Sequence, residues 1–333
     1  MKQKAVVTGG AGFIGSHMVD LLVSKGYEVT VIDNLANGRL ENIAHHKGAI
    51  KFVQADIGDY GMDLDEAFCD ADYVFHFAAL ADIVPSINEP LKYHKANVDG
   101  TIRVLEAAKK SKNLKKFVYA ASSSCYGIPE LYPTPESSPI KPEYPYAHTK
   151  RIGEEYVLHW GQVYNMPVLS MRFFNVYGLR HRTSGTYGAV FGVFLAQLLN
   201  NKPLTIVGDG EQTRDFTYVS DIVDACYTAS QSDFSGEIFN VGSGNTYSIN
   251  LLASLLGGEK VHIPKRPGEP DSTFADITKI QTLLGWQPKV KFEEGVKIML
   301  ENIEQWREAP VWDESSIKEA TKEWFACLGD KDA

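Results

Sequence analysis

The chain has 333 residues, enough for a full core in one large domain or two of ordinary size. Its 44% hydrophobic and 23% charged residues describe an ordinary globular protein, and a net charge of −9 argues against nucleic acid as a partner. Cys69, Cys125, Cys226 and Cys327 stand far apart with no metal-ligand spacing, the pattern of reduced thiols; with no membrane span and no signal peptide, the expected location is the cytoplasm.

Val6 and Val7 read as a short buried strand, Gly9, Gly12 and Gly15 as a glycine-rich turn, and Ile14 to Ser24 as the helix this turn opens. A diphosphate needs backbone N–H groups and the positive end of a helix dipole, and a Cβ on the turn would hold it away. The run from Tyr27 to Ile32 reads as a second strand ended by Asp33. Its carboxylate can accept from adenosine ribose hydroxyls and would repel a 2′-phosphate, so NAD is expected rather than NADP. The spacing is Gly-x-x-Gly-x-x-Gly, not the Gly-x-Gly-x-x-Gly of the usual dehydrogenases.

Further runs dense in Val, Phe and Tyr follow at Lys51 to Val53, Tyr73 to Phe77, Phe117 to Ala121 and Val168 to Arg172. As strands covered on both faces they predict an α/β fold, a doubly wound parallel sheet whose ligands bind beyond the carboxyl ends of the strands. Leu91 to Lys110 reads as one long amphipathic helix, and Pro129, Pro133, Pro135, Pro139, Pro142 and Pro145 stiffen the loop from Gly127 to Tyr146.

After Arg172 the pattern loosens. Gly185 to Gly192 is glycine-rich before a helix at Val193 to Asn200, Leu204 to Val207 reads as a small strand, and Pro264 to Phe274 as a loop. Tyr218 to Ala229 and Glu237 to Val241 resemble a helix and strand of the large sheet. The expected domains are 1–172 for the dinucleotide, with a return at 215–241, and a smaller mixed α/β substrate domain from 173–214 and 242–333. Leu284 to Pro288 reads as a turn, Phe292 to Trp306 as a helix, and the tail from Pro310 to Ala333 as one more helix, capped at Ser316 with Glu319 and packed by Trp324 and Phe325.

Tyr146 and Lys150 at i, i+4 share a helix face. An ammonium and the charge of an oxidised nicotinamide would favour the phenolate, able to take a proton from a sugar hydroxyl. Ser122 ends the preceding strand and could bond the same hydroxyl. His76 reads as a satisfied core histidine and Cys125 as unreactive, while His45 and His46 lack a supporting metal cluster, so no metal is expected.

These stretches together resemble the extended short-chain dehydrogenase/reductases, and within them the UDP-glucose or UDP-N-acetylglucosamine 4-epimerases. The matching segments are Thr8 to Gly15, Asp33-Asn34, Asp56-Ile57, His76 to Ala79, Ser122 to Gly127, Tyr146 to Lys150, Arg172 to Gly178, Gly208 to Gly210, Arg214 to Phe216, Asn240 to Gly242, Arg266 to Gly268 and Leu284 to Trp286. The resemblance implies a catalytic Ser122, Tyr146 and Lys150. It implies NAD contacts from Gly9, Gly12, Phe13, Ile14, Gly15, Asp33, Asn34, Asp56, Ile57, Phe77, Ala78, Ala79 and Asn97, besides Tyr146 and Lys150. It places Ser123, Ser124, Asn175, Arg214, Arg266, Glu269 and Thr273 on a UDP-sugar, with the arginines neutralising the diphosphate.

Related 4,6-dehydratases carry an Asp-Glu pair where this chain has Ser123 and Ser124, and sugar-acid decarboxylases keep the Glu; the serines favour epimerisation. Thr273 stands at a gatekeeper position where a small residue goes with N-acetylated sugars. The resemblance also implies a homodimer through the helices at Leu91 to Lys110 and Tyr146 to Gln162. The alternatives are a nucleotide-sugar dehydrogenase, keto-reductase or dehydratase of the same superfamily, or a non-catalytic NAD(H) sensor.

Overall fold

The computed structural model describes residues 2–181 and 189–329. Gly185, where the glycine-rich stretch begins, and Asp330 to Ala333, the end of the expected tail helix, lie outside them.

Seven parallel strands form the central sheet, in the edge-to-edge order Glu237–Val241, Val168–Phe173, Lys116–Ser122, Tyr73–His76, Lys4–Thr8, Glu28–Asp33 and Ile50–Gln54. The strand order reverses between Lys4–Thr8 and Tyr73–His76, which opens a crevice at their carboxyl ends. The inner strands are covered on both faces: Val168–Phe173 is buried throughout, as is Tyr73–His76. Ile50–Gln54 departs from the two-faced expectation, because it is an edge strand and none of its residues is fully buried. Glu237–Val241 closes the other edge after the chain has left the sheet for some sixty residues.

Among the described residues, the second half has three two-stranded sheets. Phe216–Tyr218 runs parallel to Asn175–Tyr177, Lys260–Ile263 parallel to Leu204–Val207, and Tyr247–Ser248 antiparallel to Thr213–Arg214. An aromatic core of its own holds this half, with Phe216 stacked on Phe292 at 5.3 Å and Tyr177 on Phe191 at 4.5 Å.

Local order corrects several expectations. The run Leu91 to Lys110 is helical but not one α-helix: Pro90–His94 and Gly100–Lys109 are α, and Lys95–Asp99 between them is a π turn. The helix expected from Val193 begins earlier, at Val190, and takes in Gly192. The tail forms two short helices, Glu314–Ala320 and Lys322–Leu328, and its capping box joins Asp313 to Ser316. Asp313 wins the cap because its carboxylate reaches the Ser316 N–H at 2.8 Å. Trp324 packs inward as expected, whereas Phe325 is 40% exposed. No described helix is long and apolar enough to cross a membrane.

Candidate active site

Every residue expected at the site, Asn97 apart, borders one cavity of about 670 Å³ at the carboxyl ends of the strands. The glycine turn forms its floor. Gly9 has φ +70°, and a Cβ there would lie 2.7 Å from the Ala78 nitrogen; one on Gly15 would lie 2.1 Å from the Gly9 carbonyl oxygen. The turn therefore fits a close-lying diphosphate and tolerates no side chain at either place. Gly12 caps the helix Phe13–Ser24 without any side-chain hydrogen bond, so the first-turn N–H groups have no side-chain competitor for an anion.

Asp33 is placed by the chain it serves. Its carboxylate accepts from the Ala11 N–H at 3.0 Å and the Leu35 N–H at 2.8 Å, and Gly38 lies so close that a Cβ would meet Oδ1 at 2.7 Å. The Gly12 N–H bonds the carboxylate as well, and three donors on two oxygens still leave a lone pair for a ribose hydroxyl. Burial raises its pKa against these backbone bonds.

Asn97 does not face the cavity. Its Oδ1 accepts from the Leu80 N–H at 2.8 Å, and its Nδ2 donates to the Leu80 carbonyl at 2.9 Å and to Thr149 at 3.0 Å. It is 1% exposed, and its amide pins the segment after His76 to the helix Pro145–Tyr164. Asn97 thus holds in place the Leu80 segment that borders the cavity.

Tyr146 and Lys150 sit in the first turns of that helix, which starts on Pro145 at the end of the stiffened loop. Ser122 ends its strand beside them, with its Oγ 2.8 Å from Ser124 Oγ and accepting from the Ser124 N–H at 3.2 Å. Lys150 is 4% exposed, and its Nζ stands 4.3 Å above the Tyr119 ring. Burial pushes its ammonium down to about 7, with Glu154 acting the other way. Burial also raises the Tyr146 phenol, opposed by the Ser122 hydroxyl. The expected depression of that phenol is thus not supplied by the protein's side chains, since desolvation outweighs the Ser122 hydrogen bond.

The substrate side comes from the second half. Arg214 and Arg266 share Glu269, at 2.7 Å and 3.7 Å. Thr273 takes the Asp215 N–H on its Oγ1 at 3.1 Å, and its own proton is left for Asn175 Oδ1 at 2.6 Å. That network turns the Asn175 amide so that its N–H₂ is the donor left for a ligand.

Two groups were legible only in three dimensions. Asp215, fully buried, accepts from the Ser243 N–H at 2.6 Å, the Ser243 hydroxyl at 2.8 Å and the Ala275 N–H at 3.0 Å. It ties the strands leading to Arg214 and Thr273 together, and burial raises it to about 6. The other is Asp20: His45 and His46 both bond its Oδ1, at 2.8 and 2.7 Å, and Arg180 its Oδ2 at 2.8 Å. These histidines therefore do have a clustered acidic partner, contrary to expectation, but its oxygens already hold three donors. His76 is satisfied, by Thr8 at 2.6 Å and Thr101 at 3.0 Å, and held neutral by burial at about 3. The Cys125 thiol is pushed up to about 12 by burial, which leaves it unreactive.

Residues 6–299 match the family described as GDP-mannose 4,6 dehydratase. A UDP-glucose 4-epimerase of Mycolicibacterium smegmatis is 36% identical over 302 residues, 88% of this chain and 96% of that one. UDP-glucuronic acid decarboxylase 4 of Arabidopsis thaliana is 34% identical over 91% of this chain and 69% of its own. Among solved structures, UDP-glucuronic acid 4-epimerase from Bacillus cereus in complex with UDP-glucuronic acid and NAD superposes with a TM-score of 0.83 at 33% identity, covering 91% of this chain and 99% of that one.

Proposed function

The chain belongs to the GDP-mannose 4,6-dehydratase family of extended short-chain dehydrogenase/reductases, and within it we propose that the protein catalyses NAD-dependent 4-epimerisation of a UDP-sugar. The observation that carries this is the triad Ser122, Tyr146 and Lys150 on the cavity that the glycine turn floors, with hydroxyls at Ser123 and Ser124. The resemblance gives the dehydratases an Asp-Glu pair at those positions and the decarboxylases the Glu alone, and a serine hydroxyl cannot replace either carboxylate as acid or base at neutral pH. The small Thr273 supports a sugar with an N-acetyl group.

The glycine turn at Gly9, Gly12 and Gly15 and the Asp33 carboxylate would hold NAD, which would supply the hydride acceptor for C4 of the sugar and, once reduced, the hydride donor for the keto carbon. Tyr146 removes the O4 proton, and Ser122 bonds the same oxygen and orients it. Lys150 holds positive charge near the phenolate. The resulting 4-keto sugar turns about its diphosphate link while Arg214, Arg266 and Asn175 keep the diphosphate in place, and Tyr146 then gives the proton back. The cycle consumes no coenzyme.

The test is to incubate the enzyme separately with UDP-N-acetylglucosamine, UDP-glucose and UDP-glucuronic acid and resolve the products. A 4-epimer is expected, without carbon dioxide release or net absorbance at the reduced-nicotinamide wavelength, and Tyr146→Phe should lower turnover at least ~10²-fold while keeping NAD. Carbon dioxide or stoichiometric NADH would replace this proposal with a decarboxylase or a dehydrogenase.

A further inference from the structure

The last two helices lie beyond residue 299, where the family match ends, yet the second of them reaches the reaction site. Trp324 is 3% exposed and borders the same cavity as Tyr146. Its Nε1–H donates to the Pro267 carbonyl at 2.7 Å, and the Arg266 guanidinium stands 5.8 Å from its ring centre. Its ring is 6.4 Å from that of Tyr144, which in turn lies parallel to Tyr146 at 6.4 Å. Four residues on, Leu328 closes over Gly268, 3.7 Å from where a Cβ would stand. The same helix packs against Ile83–Asn88, whose Ile83 and Val84 border the cavity from the dinucleotide side. One short helix thus joins the Arg266 turn to the opposite wall.

We propose that Lys322–Leu328 is a wall of the substrate pocket and that Trp324 is a positioning residue for Arg266, setting its guanidinium to receive the diphosphate of a nucleotide sugar. The proposal rests on the nucleotide-sugar reading above. An indole suits the task for two reasons. Its N–H fixes the backbone of the turn at Pro267, and its flat face supports a guanidinium while leaving the edge donors for phosphate oxygens. Alanine forfeits both effects and phenylalanine only the first.

The test uses the NAD-loaded enzyme. Affinity for UDP, which is not turned over, is measured by calorimetry in the wild type, Trp324→Ala, Trp324→Phe, Arg266→Ala and the Trp324→Ala/Arg266→Ala double variant, along with bound NAD and the kcat and KM of epimerisation. Trp324→Ala should weaken UDP binding and raise KM by about tenfold, with kcat within about threefold and NAD content unchanged, and Trp324→Phe should restore most of the loss. In the Arg266→Ala background the Trp324→Ala change should add little. Unchanged UDP affinity in Trp324→Ala, full additivity with Arg266→Ala, or equal loss in the Phe and Ala variants would overturn the positioning role. If UDP affinity falls as stated but no sugar is epimerised by the wild type, the wall stands and the epimerase reading fails.

Discussion

Lys150 gives the buried site a pH consequence of its own. Burial holds its folded pKa near 7, below the ~10.4 of a free lysine. Below pH 7 both folded and unfolded chains carry the proton, and the folded state bears the full desolvation cost. Between the two values only the unfolded chain is protonated, so stability rises with pH across that window. A Lys150→Met chain, neutral at all pH, should melt roughly 2–4 °C higher than the wild type at pH 6, with the gap closing toward pH 10 and activity lost throughout. A gap independent of pH in thermal scans would contradict the buried ammonium. Thr273 offers a second test, because it acts through a hydroxyl as well as through its size. Thr273→Val keeps the volume but releases the Asn175 amide, and should raise KM about five- to tenfold where Thr273→Ser does not. Equal KM in the two variants would reduce Thr273 to a steric gate. The meeting of Ser122, Tyr146 and Lys150 at one cavity was legible in the chain, because Tyr146 and Lys150 stand one helical turn apart and Ser122 ends an apolar run. Asn97 and Asp215 could not, since an amide or carboxylate looks the same in sequence whether it meets a ligand or a distant backbone.

The Pro145–Tyr164 helix is held to the sheet by a buried ion pair rather than by apolar contact alone. Glu154 takes Arg172 Nη2 at 2.7 Å and Nε at 3.0 Å, Ser170 at 2.7 Å and Arg151 at 2.7 Å. Arg172 also donates to the Tyr126 hydroxyl at 2.8 Å, so the pair joins the helix, the strand and the turn after Ser122. Glu154→Ala leaves a guanidinium that is nearly unexposed without its carboxylate, and should cost about 3–5 kcal/mol by urea denaturation. A loss below about 1 kcal/mol would mean that water or Arg151 rearrangement replaces it. Gly153 on the same helix shows how close the approach is, since a Cβ would sit 2.3 Å from the Tyr119 hydroxyl. The alternation of strands and helices was legible because burial on both faces leaves long apolar runs. The π turn at Lys95–Asp99 was not: its register serves the Asn97 amide, and that partner is distant in sequence.

At the scale of the whole molecule, an acidic chain gathers Arg214 and Arg266 around one carboxylate at the cavity. A diphosphate would displace Glu269 from part of that pairing, so local charge, not the net −9, governs what the cleft accepts. The chain also crosses from one half to the other and back, because Glu237–Val241 pairs with Val168–Phe173 after the second half has begun. The halves are therefore not severable at the point where the first six strands are complete. A fragment ending at Phe174 would bare the backbone of a strand whose six residues are all buried in the intact protein. Light scattering should find that fragment self-associated, and a well-behaved monomer would show that the interlaced path is dispensable for solubility. Seen this way, the returning strand is a lock: fusion, truncation or domain exchange in this protein must carry residues 237–241 with the first half or forfeit it.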